Sequence, residues 1–210
     1  MPTILNDAEV RVLGSLIEKQ VTTPDYYPLT LNSLTLACNQ KNNRNPITSF
    51  TEAEVSQALD SLREKNLAYV FYGSSSRVPK YKHVITEVLH FSPQQLAVMC
   101  VLMLRGAQTV GELRERGARL CAFTGLEEVE RTLDSLITRE PDPLVVKLPR
   151  LPGHKEARYM HLLAGEVDVD LVEAERPERR RATDAERIAK LEQQIESLRL
   201  QFEEFKKQFE

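Results

Sequence analysis

The pattern V-x-x-x-L-D-S-L occurs twice, at Val55 to Leu62 and again 74 residues later at Val129 to Leu136. Val55, Leu59 and Leu62 stand at i, i+4 and i+7, as do Val129, Leu133 and Leu136, so each set lines one face of a helix. The flanks repeat too. Asn6 with Glu9, Thr51 with Glu54 and Ser92 with Gln95 have the spacing of a capping box, and Leu5, Phe50 and Phe91 are placed to staple against Val10, Val55 and Leu96. Pro93 falls at the first helical position after Ser92. A middle helix recurs at 30–40 and 109–120. Each third helix is followed by two β-rich runs around a loop: "LAYVFY" and "YKHVI" in one copy, "LVVKL" and "RYMHLL" in the other.

Each copy therefore runs helix, helix, helix, strand, loop, strand. That order predicts a mainly α chain with small β-hairpins (α+β): two tandem winged-helix domains at 1–88 and 89–165, then a charged linker at 166–182 and a long helix at 183–210. In the last segment Ile188, Leu191, Ile195, Leu198, Phe202, Phe205 and Phe209 alternate steps of three and four, a heptad seam. The seam predicts a homodimer; three phenylalanines on it leave open a helix packed on its own chain.

Charge divides the function classes. The net charge of −3 excludes binding of nucleic acid through bulk charge, so any such binding needs cations gathered locally. They gather in the first copy. No acid lies between Tyr26 and Thr51, which holds Lys41 and Arg44, or between Lys65 and Thr86, which holds Lys65, Arg77, Lys80 and Lys82. The first span contains "CNQKNNRNP" (38–46), where Asn39, Gln40 and Asn45 add amides able to bond phosphates or adenine edges. The same residues suit an irregular wet loop, because asparagine tolerates left-handed backbone and caps helices. Arg150, Lys155 and Arg158 form a second cationic hairpin, interrupted by Glu156. Against DNA stand the two third helices, with Glu52, Glu54, Asp60 and Glu64 on one and Glu127, Glu128, Glu130 and Asp134 on the other. Those acids suit the helix dipole, but that same helix end would face bases or phosphates, so they favour a protein-docking surface instead.

Catalytic and metal signatures do not emerge. His83, His90, His154 and His161 lack ligand spacing, and there is no glycine-rich phosphate loop or nucleophile elbow. Neither a cofactor nor an enzymatic activity is expected. Cys38, Cys100 and Cys121 are odd in number and widely spaced, which fits buried thiols in a reducing compartment. Residues 1–10 lack a cationic start and a long apolar run, so no secretion signal is expected. The nine apolar residues Leu96 to Leu104 are too few to span a membrane and predict a buried helix. Tyr26 and Tyr27 are expected to cover the core rather than to stack on bases.

The string "VTTPDYYPLTLNSLTLACNQKNNRNP" (21–46), followed by "LDSLREKNL", resembles the YceH family of bacterial proteins, a group of unknown function. The resemblance covers most of the chain and implies tandem winged helices in a bacterial cytoplasm, without an activity. Asn42 and Asn43 fall in the variable part of that string and are weaker site candidates than Lys41 and Arg44. Two functions follow: a DNA-associated regulator holding duplex through the polar loop and the first hairpin, or a protein-interaction module docking through its acidic third helices.

Overall fold

Helix starts in this chain are fixed by side chains that satisfy the free amides of the first turn. Asn6, Thr51, Ser92 and Thr109 each accept from the backbone N–H three residues on, and Glu9, Glu54, Gln95 and Glu112 reach back to the cap. These boxes start α1 (Asp7–Thr22), α3 (Glu52–Glu64), α5 (Pro93–Arg105) and α6 (Val110–Gly117). Thr30 caps α2 (Leu31–Cys38) through the Ser33 N–H. Before α7 (Leu126–Ile137) the cap is Gly125, and the Glu128 carboxylate instead accepts from Thr124 N at 2.7 Å and Oγ1 at 2.8 Å. The computed structural model describes residues 4–72, 78–150, 156–167 and 195.

The chain is α+β as expected, with small antiparallel strands beside its helices. Strands β2 (Ala68–Phe71) and β3 (Lys80–His83) form the first hairpin, β4 (Val145–Lys147) and β5 (Tyr159–His161) the second. A short strand that the sequence did not announce, β1 (Leu29–Thr30), pairs Leu29 with Tyr81 at the other edge of β3. Gln108 occupies the corresponding place in the second copy, exchanging hydrogen bonds of 3.0 and 2.8 Å with Tyr159. Thr30 and Thr109, each next in sequence after the residue paired with the tyrosine, cap the middle helices, so the duplication extends to the start of each middle helix. It extends also to the returning strands: "YKH" and "YMH" place His83 opposite Ala68 and His161 opposite Val145, both 3% exposed. A further short helix, α4 (Ile85–Leu89), ends at His90 in left-handed backbone and leads to Ser92.

The core forms around two helices that are apolar on more than one side. Every residue of α1 from Glu9 to Glu18, and of α5 from Leu96 to Leu104, is buried. A helix buried all round occupies a centre, and here α1 and α5 pack on one another. Gly14 permits the approach: a Cβ there would lie 3.0 Å from Leu104 Cδ2 and 3.2 Å from Met103 Cβ. One continuous cluster thus runs from Leu13, Leu59 and Leu62 to Met99, Leu133 and Leu136. The described residues up to Val167 belong to one compact unit. Of the heptad seam only Ile195 is described, helical and 56% exposed; Ile188, Leu191, Leu198, Phe202, Phe205 and Phe209 lie outside the described residues.

Candidate nucleic-acid interface

Burying α1 takes three charged side chains inside with it, Glu9, Arg11 and Glu18, and each needs a partner there. Lys65 meets Glu9 at 2.6 Å, tying the end of α3 to the start of α1. The other two are answered by the polar loop. Arg11 donates to Cys38 O at 3.1 Å, Thr48 Oγ1 at 3.1 Å and Pro46 O at 2.6 Å. Glu18 receives a two-pronged bond from Arg44, at 3.2 and 2.6 Å. Arg44 also donates to Ala37 O at 2.8 Å, Asn43 O at 3.0 Å and Gln40 Oε1 at 3.3 Å. Although burial alone pushes the Glu18 carboxyl up, the Arg44 bonds and charge outweigh it and hold the group below its ordinary value.

This geometry corrects the expected phosphate-binding loop. Arg44 is an interior residue whose side chain is 0% exposed, so its guanidinium does not reach a polyanion. Asn39 is structural as well: its amide accepts from Phe50 N at 2.8 Å and donates to Phe50 O at 2.7 Å, closing the loop as a strand neighbour would. Gln40 accepts from Lys19 and Arg44, and Asn45 holds the end of α5, its backbone N–H donating to Leu104 O and its amide to Arg105 O. The loop lacks acids because its carbonyls and amides surround two guanidiniums, while the one carboxylate comes from α1. Lys41 is the exposed cation of the segment.

The first hairpin is different. Register pairs Tyr69 with Lys82 and Phe71 with Lys80, while Ala68–His83 and Val70–Tyr81 alternate with them. Alternation along each strand puts the two aromatics and two lysines on one face and His83 on the other. Tyr69 and Phe71 are 45% and 39% exposed, and the Lys82 ammonium lies 4.7 Å from the Tyr69 ring centroid. Tyr72 and Val78 extend the exposed apolar surface towards the tip. Arg77 lies outside the described residues. The aromatics were missed as site residues, although A-Y-V-F set against K-Y-K carries the signal once the register is known.

The remaining candidates divide. Arg158 is held by Ala107 O at 2.7 Å and Glu112 at 3.2 Å, whereas Arg150 is exposed and Lys155 is outside the described residues. Tyr27 packs against the core and accepts from His83 N at 2.8 Å; its neighbour Tyr26 is 78% exposed, against expectation, because the turn at Pro24–Tyr26 points it outward. Cys38 and Cys100 are buried with thiols pushed up by that burial. Among the described residues no group of histidines, cysteines and carboxylates is placed to hold a metal ion, and no helix is long and apolar enough to cross a membrane.

Fold and surface define a duplicated α+β protein with a buried ionic centre and a cationic, aromatic hairpin. The chain belongs to the family described as "Protein of unknown function, DUF480", whose model matches residues 5–154. It is 50% identical to a UPF0502 protein of Geobacter sulfurreducens over the full length of both chains. It is 52% identical to one of Citrifermentans bemidjiense, covering 93% of this chain and 90% of that one. A third, of Vibrio atlanticus, is 46% identical over 98% and 97%. The bacterial family of unknown function expected from residues 21–46 is thus borne out.

Proposed function

We propose that this chain is a non-enzymatic, DNA-associated protein of the bacterial cytoplasm, whose repeats are winged helices and whose first wing holds duplex DNA. The face that pairs Tyr69 with Lys82 and Phe71 with Lys80 carries the reading. Two lysines neutralise phosphates, while ring edges pack on the adjoining sugars. Large aromatics left a third or more exposed beside cations suit a polyanion that supplies both charge and apolar surface. Lys41 and Arg150 are peripheral phosphate contacts in this scheme, and Arg44, Asn39 and Arg158 have no part in it.

Fluorescence anisotropy with a labelled duplex across a salt series tests the assignment. Replacing Lys80 and Lys82 with alanine is expected to lower the log–log salt slope by about 2, and Lys41→Ala by about 1 or less. Absence of duplex binding by the parent protein at about 50 mM salt overturns it.

The second reading, protein docking, draws on α3, whose outer face exposes Glu52, Asp60 and Glu64, and on Leu36 of α2, which is 66% exposed. A partner retained after nuclease treatment and lost in a Leu36→Asp variant favours docking over DNA.

A further inference from the structure

A cavity of about 270 Å³ opens where the C-terminal ends of α1, α5 and α6 meet the polar loop. Its lining includes the apolar side chains of Val101, Leu104 and Leu120 and the arginines Arg105, Arg116 and Arg119. Two carboxylates also line it, Glu18 and Glu115. Glu18 is already spent on Arg44, 2.6 Å away. Glu112, the carboxylate nearest Arg116 at 3.2 Å, is shared with Arg158 at the same distance. Among the described residues neither Arg105 nor Arg119 makes an ion pair.

Helix C-termini attract cations, which would account for these arginines if they were satisfying the last carbonyls. Other groups do that instead. Leu104 O accepts from Asn45 N, Arg105 O from the Asn45 and Gln108 amides, and Gly117 O from Leu120 N and Cys121 N. Arg105 is steadied by the Asn43 side chain and Arg116 by Gln108, neutral acceptors that orient a guanidinium without cancelling its charge. Burial depresses the Arg105 guanidinium, the neighbouring Arg116 adds to that, and the Glu18 and Glu112 carboxylates offset part of it.

We propose that this cavity binds a small organic phosphate monoester, its phosphate on Arg105, Arg116 and Arg119 and its apolar body on Val101, Leu104 and Leu120. Guanidinium forks match phosphate oxygens in pairs, and the volume falls just below the range of drug-sized sites, which begins at about 300 Å³, so it suits only a small occupant. The cavity is lined from both repeats, by Thr22 and Asn43 of the first copy as well as by the arginines of the second.

Isothermal titration calorimetry of the full-length chain with phenyl phosphate tests this, with inorganic phosphate and phenol as controls. Saturable binding at one site is expected, weaker for inorganic phosphate and absent for phenol. Arg119→Ala, at an exposed position, is expected to weaken phenyl phosphate binding by about tenfold. Arg105→Lys keeps the charge but loses the fork and is expected to weaken it severalfold. Glu115→Gln is expected to tighten it. No saturable heat with phenyl phosphate up to about 10 mM, equal affinity for phosphate and phenyl phosphate, or unchanged affinity in Arg119→Ala overturns the assignment.

Discussion

Arg44 Nη2 lies 2.6 Å from Glu18 Oε2 in the interior of the protein, joining the polar loop to the central helix across 26 residues of sequence. The pair fixes where the loop after α2 rests, because Ala37 and Gln40 bond the same guanidinium. Removing either partner leaves a buried charge uncompensated. Arg44→Ala and Glu18→Leu are each expected to cost about 3–5 kcal/mol in urea denaturation at pH 7, and the double variant less than their sum.

The same pair sets an acid limit. The Glu18 carboxyl is held below its ordinary value in the folded state, so its stabilisation is complete above the ordinary carboxylate pKa near 4.5. That stabilisation is lost as pH falls through the lower folded value. Glu9, held down by Lys65 and Ser61 against its own burial, contributes with the same sign.

His83 and His161 act at higher pH. Burial pushes both from 6.5 to about 4. The unfolded chain therefore takes up protons first, and stability is expected to fall between about pH 6.5 and 4, by up to roughly 3 kcal/mol per histidine. Thermal melts of the parent protein and of a His161→Phe variant check this: the variant's melting temperature should fall less over that window.

Gly14 is predicted to be worth more than its helix propensity. Alanine in mid-helix ordinarily gains about 1 kcal/mol over glycine. Here its Cβ would press on Leu104 and on the Met103 Cβ, which cannot rotate away. Gly14→Ala is expected to destabilise by about 1–2 kcal/mol net, and Gly14→Val by more, measured by denaturant unfolding. A stabilised Gly14→Ala protein would show that α5 yields without cost.

Features governed by local spacing were legible in the chain before any fold was known. Capping boxes at Asn6, Thr51 and Ser92, the buried run Leu96–Leu104 and the hairpin positions all follow from residues within one or two turns of each other, and each stands where expected. The fourth box, Thr109 with Glu112, was legible by the same rule and was missed. Tertiary structure alone decided the fate of the polar loop. Whether Arg44 meets phosphate or Glu18, and whether Asn39 faces solvent or closes on Phe50, depends on helix α1 arriving from far along the chain with charges that cannot be left unpaired. Likewise no spacing announces that Gly14 faces Leu104, or that Tyr69 and Lys82 share a face, because contact across a fold is set by packing and register rather than by neighbours in sequence.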